Sequence, residues 1–152
     1  VNEPETIRTI LEQAKTLAVV GLSPRVDRPS LHVSRYMQAH GYCIVPVNPG
    51  VTSVLGETAY PTLDGALAAV GTIDLVNVFR DSRYVAEIVE ETIRLKIPYL
   101  WLQQGVCDEQ AARRAEAAGV KVVMDRCIYQ EHAAGLQSPR DAAPPDGESC
   151  PF

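Results

Sequence analysis

The chain has 152 residues, 46% of them hydrophobic and 22% charged, with a formal net charge of −5. Such a chain fits one globular domain with a sizeable core, and its acidic balance excludes general nucleic-acid binding, which needs a basic face to displace counterions. No apolar stretch approaches the roughly 20 residues of a membrane span, and Val1 to Glu5 lack the features of a signal peptide, so a cytoplasmic setting is expected.

Pro4 opens a first helix with Ile7, Ile10, Leu11 and Ala14 as its apolar stripe, and Leu17 to Val20 form strand one. A second helix starts near Pro29 and ends at Gly41; Tyr42 to Val47 form strand two, and Gly56 to Pro61 leave room for a stub of a third. Thr62 caps a short helix closed by Gly71, Asp74 to Phe79 form a strand, and a helix follows from Val85. Tyr99 to Leu102 form the next strand, Asp108 caps an alanine-rich helix ending at Gly119, and Val120 to Met124 form the last strand. A short helix from Ile128 to Ala134 completes the core.

Strands alternate with helices and are continuously apolar, so both faces of the sheet are covered. The expected fold is α/β: a three-layer, Rossmann-like, doubly wound parallel sheet, with a two-layer arrangement as the alternative. Residues 1–137 form one domain in this reading, and 138–152, rich in proline and polar residues, form a flexible tail. Cys43, Cys107, Cys127 and Cys150 make no CxxC pair, so reduced thiols are the simplest reading, with neither a metal site nor a disulfide framework.

Ligands of doubly wound sheets bind beyond the carboxyl ends of the strands. Five segments fall there: Gly21-Leu22-Ser23, Asn48-Pro49-Gly50, Phe79-Arg80-Asp81, Gln103-Gln104-Gly105 and Asp125-Arg126-Cys127. After Gly21 come Ser23, Arg25, Arg28, Pro29 and Ser30, a strand-to-helix turn that suits phosphate: backbone amides, a helix dipole and guanidinium forks converge on it. A dinucleotide site is disfavoured twice. Ser23 and Val26 stand where a GxGxxG fingerprint needs glycines, and Asn48 occupies the region of the acidic residue that grips ribose.

Gly-x-Ser with Arg28-Pro29-Ser30, the turn Val47-Asn48-Pro49, Val78-Phe79-Arg80, the run Trp101-Leu102-Gln103 ahead of Gly105, and Asp125-Arg126-Cys127 together resemble the small stand-alone CoA-binding proteins. These are similar to the CoA-binding domain of the succinyl-CoA synthetase alpha subunit, and the resemblance spans Ile7 to His132. It implies a sheet ordered 3-2-1-4-5-6, here with a short third strand, and coenzyme A across its carboxyl edge. By position, Gly21, Ser23, Arg28, Pro29 and Ser30 would hold phosphates, and Asn48 and Pro49 would wall the nucleotide. Val78 and Phe79 would meet the adenine side and Gly105 the pantetheine arm; Leu22, Arg25, Arg80 and Cys127 complete the candidate set.

The ligase activity is not implied, because the phosphorylated histidine of that subunit lies in a second domain absent from this sequence. His40 reads as a cation serving a helix C-terminus, His32 as a surface residue, and Glu131 and His132 as side chains that diverge. Cys127, beside Arg126, is the candidate for thiol chemistry. The expected function is non-covalent binding of CoA or an acyl-CoA with no catalytic residue. An enzyme or enzyme subunit acting on a CoA thioester is the alternative, and an NAD(P)-binding protein the third. No nucleic acid or membrane is expected as a partner; a protein partner or homo-oligomer is left open.

Overall fold

A computed structural model describes residues 1–135 and Cys150. The expected tail, 138–152, lies outside the described residues apart from Cys150. Five parallel strands, β1 (Thr16–Val20), β2 (Cys43–Val47), β5 (Leu75–Val78), β6 (Tyr99–Leu102) and β7 (Lys121–Val123), form one sheet in the order β2-β1-β5-β6-β7. The fold is α/β and Rossmann-like.

Alternation along each strand divides the core. Ala18, Val20, Val76, Val78, Leu100 and Leu102 pack against α3 (Leu63–Val70), α4 (Val85–Arg94) and α5 (Glu109–Ala117). Leu17, Val19, Leu75, Trp101 and Val123 pack against α1 (Pro4–Gln13), α2 (Pro29–Ala39) and α6 (Ile128–Gly135). Because helices cover both faces, the strands can be apolar throughout.

The expected helix signals act as local chemistry dictates. Pro4 and Pro29 stand at first-turn positions, where a missing N–H costs nothing. Thr62 accepts a hydrogen bond from the Gly65 N–H at 3.0 Å, and Asp108 one from Ala111 at 3.0 Å. Such caps contribute about 1 kcal/mol each.

Two features differ from expectation. The third strand shrinks to a single parallel bridge, Val47 to Tyr60, with the Asn48 N–H donating to the Tyr60 carbonyl at 2.9 Å. Proline explains why it goes no further: in β2 the N–H of Cys43 serves β1, so the even-numbered positions face outward, and there Pro46 has no N–H to give. Before that bridge, β3 (Ser53–Val54) and β4 (Glu57–Thr58) pair antiparallel through Leu55 and Gly56, both at positive φ, 55° and 77°. That is the backbone a two-residue hairpin turn requires.

The second difference is a disulfide between Cys43 and Cys150, with Cα atoms 5.5 Å apart, which corrects the expectation of four free thiols. Their 107-residue separation hides the pairing from any spacing rule. Cys107 and Cys127 are free.

Candidate functional site

The chain leaves β1 toward β2 on one side and returns to β5 on the other, so the crevice past β1 and β5 is the switch point of the sheet. Gly21 and Phe79 stand on either side of it. The Gly21 N–H donates to the Val47 carbonyl at 2.9 Å, and the Phe79 N–H to Val20 at 2.9 Å. Gly21 has φ +87°, and a Cβ there would lie 2.8 Å from the Phe79 carbonyl oxygen. Only glycine fits both demands.

Two clefts of about 570 Å³ each open from this point and share Gly21, Phe79 and Arg80. The first runs toward α2 and β6. It gathers Ser23, Arg25, Arg28, Pro29 and Ser30 from the loop after β1, and Cys127 from the far strand end. Among the described residues, three arginines and no carboxylate line it.

The loop is organised by its own hydroxyls. Ser30 Oγ, buried in the first turn of α2, accepts from the Ser23 N–H at 3.1 Å, and Ser23 Oγ accepts from the Arg25 N–H at 3.2 Å. His32 Nε2 donates to the Val26 carbonyl at 2.6 Å, so this surface histidine fastens the loop. Arg25 is engaged bidentately by Asp27, at 3.1 and 2.9 Å. Arg28, at the N-cap of α2, has no ion pair among the described residues, and neither has Arg80, whose guanidinium lies 3.8 Å over the Tyr84 ring. The two arginines open to an anion are therefore Arg28 and Arg80.

The second cleft lies between β2 and α4. Val47, Pro49, Leu63, Phe79 and Ile88 make its apolar walls, while Asp81, Glu87 and Glu91 make it acidic at the rim. Burial raises the Glu91 carboxyl above its ordinary range, reinforced by Glu87 and Asp64 and opposed by Arg94 and Arg80. Anionic oxygens thus fit the first cleft, and a flat uncharged ring fits the second. Asn48 lines the second cleft, but both ends of its side chain serve the fold: Nδ2 donates to Leu22 O at 3.0 Å and Oδ1 accepts from Gly50 N at 2.9 Å.

Three candidates stand apart from the clefts. Leu22 and Val78 are fully buried in the core. Gly105 is exposed, and its N–H donates to Asp125 Oδ1 at 2.7 Å. Its neighbours Gln103, Gln104 and Val106, absent from the candidate set, line the first cleft instead. Trp101 Nε1 donates to the Arg126 carbonyl at 2.8 Å and so sets the entry to Cys127. The Arg126 guanidinium turns to Glu131 at 3.3 Å. His132 contacts the Tyr36 hydroxyl at 2.8 Å, and His40 Nδ1 meets the Tyr36 carbonyl at 2.8 Å, closing the helix end as expected.

The CoA binding domain family profile matches residues 15–133. The Bacillus subtilis (strain 168) protein YneT is 43% identical over 127 residues, covering 84% of this chain and 92% of that protein. Among solved structures, Prb, a redesign of the PH1109 protein for binding, superposes with a TM-score of 0.83 at 34% identity, covering 91% of this chain and 95% of that one. The cell-free ID.343 protein from Thermus thermophilus gives 0.79 at 33% identity, over 87% and 98%. The profile spans β1 through most of α6, taking in the glycine turn, both clefts and the strand ends around them, and on that match this chain belongs to the CoA binding domain family.

Proposed function

We propose that the protein binds coenzyme A or an acyl-CoA non-covalently, with the phosphates at Arg28, Arg80 and the Ser23–Ser30 loop and the adenosine in the apolar second cleft. One observation carries the reading: within a CoA binding domain, the cleft beside Gly21 is lined, among the described residues, by three arginines and no carboxylate. CoA carries a diphosphate and a separate 3′-phosphate, so it gains more from such a cleft than a dinucleotide does. A cytoplasmic setting is part of the proposal, and there the Cys43–Cys150 disulfide would be open to reduction. Calorimetry with CoA, dephospho-CoA and NAD tests it. CoA binds most tightly, dephospho-CoA less so and NAD hardly at all; tighter binding of NAD would overturn the reading.

A second reading rests on Cys127, a half-buried thiol in the same cleft: an enzyme acting on a CoA thioester. Release of free thiol from acetyl-CoA, lost in Cys127→Ala, would favour it over binding alone.

A further inference from the structure

Asn77 interrupts β5 with an amide where its neighbours Leu75, Val76 and Val78 are apolar. It is 1% exposed and stands in register with Val19 on one side and Trp101 on the other. Gln103, 3% exposed, follows β6, and its Nε2 donates to Asn77 Oδ1 at 2.7 Å. Asn77 Nδ2 has no hydrogen-bond partner among the described residues. The pair is a polar island in the α1–α2–α6 side of the core, and Gln103 opens it to the arginine cleft.

Two primary amides bring four N–H donors and two carbonyl acceptors. Each carbonyl can accept twice, so donors and acceptor sites balance in number, but the one bond between the amides leaves the Asn77 Nδ2 N–H groups with no acceptor among the described residues. A buried donor is stable only with an acceptor, and an apolar pair would have filled this space without that demand.

We infer that Gln103, braced by the buried Asn77 behind it, forms an amide-reading subsite at the floor of the arginine cleft, donating to the carbonyl of a secondary amide in the ligand's arm. The inference rests on the CoA reading. It assigns the pantetheine arm, a chain carrying two secondary amides, to the side of the cleft that runs from Arg28 toward Gln103 and Cys127. Phosphate recognition and arm recognition then fall on different residues of one cleft, so ligand analogues can separate them.

The test is calorimetric titration of the wild type, Gln103→Met and Asn77→Leu with CoA and with adenosine 3′,5′-bisphosphate, which lacks the arm. Each variant weakens CoA by about tenfold, the weight of one hydrogen bond with its stranded partner, and leaves the bisphosphate within about twofold. Equal losses for both ligands would make the pair a structural prop and overturn the subsite. No loss for either would also overturn it while leaving the CoA reading intact. Thermal melting reports whether each variant folds, and the wild type alone keeps the inference falsifiable. If it binds CoA no more tightly than the bisphosphate, the arm is not read. If it binds the bisphosphate but rejects CoA, the CoA reading fails and the subsite with it.

Discussion

Gly21 and Phe79 meet backbone to backbone at the point where the two clefts join, so closely that a methyl group on Gly21 would press into the Phe79 carbonyl at 2.8 Å. The oxygen belongs to the chain just past β5, whose neighbouring N–H is held by Val20, and it cannot retreat without breaking the sheet edge. Gly21→Ala is therefore expected to cost about 1–3 kcal/mol from positive φ and contact together. Urea unfolding measures that loss, and calorimetry should show CoA binding abolished. A variant of wild-type stability and affinity would remove Gly21 from the centre of the site.

The arginines of the loop are not equivalent. Arg28 has no ion pair among the described residues, whereas Arg25 is held in a fork by Asp27. Arg28→Ala should weaken CoA by about 10- to 150-fold, the worth of one charge-assisted contact. Arg25→Ala should weaken it less, and Arg113→Ala, exposed on α5, should leave it unchanged. Equal affinities for the Arg28 and Arg113 variants would end the phosphate assignment.

The two free thiols report occupancy. Cys127 lines the arginine cleft, while Cys107 is exposed, with its thiol raised by partial loss of hydration and then by Asp125. CoA at about a hundred times its dissociation constant should slow alkylation of Cys127 by about tenfold or more. Modification of Cys107 should be unaffected. Peptide mass spectrometry after timed alkylation distinguishes the sites, and protection of both thiols alike would indicate a global rather than local effect.

Glu91 gives the second cleft a pH signature. Its folded-state carboxyl is raised above the ordinary value of 4.5, by burial first. Folding thus favours the protonated form: the stability it brings is present below the ordinary value and is lost as pH rises through the higher folded one. Glu91→Gln should melt above the wild type near pH 7 and together with it at about pH 4. Melting curves that stay parallel across this window would assign the slope to other groups.

Much of this was legible because it is local. The caps at Thr62 and Asp108, the prolines opening α1 and α2, and Gly21 each act on residues within a few positions, and the strand ends then locate the groove. What stayed hidden depends on distant partners. Asn77 reads as one polar letter in an apolar strand, and only folding brings Gln103 to it across 26 residues. Gly105 gives its N–H to Asp125, 20 residues on, a partner that only folding brings to it. The β3–β4 hairpin escapes because strands of two residues have no periodicity to detect. The Arg25–Asp27 fork is two residues wide and was open to a closer reading of the loop.

Cys43 opens β2, and the clefts lie past its other end, at Val47 and Asn48. By the rise of an extended strand that separates the crosslink from the groove by about 13 Å or more. The molecule therefore keeps two kinds of sulfur at opposite edges of one sheet, a staple at the amino edge and an open thiol, Cys127, at the carboxyl edge. A thiol-bearing guest that enters the groove meets only the second. Cutting the staple is therefore expected to leave the lining of the groove in place, so that redox state and occupancy act as two separate dials on the same small protein.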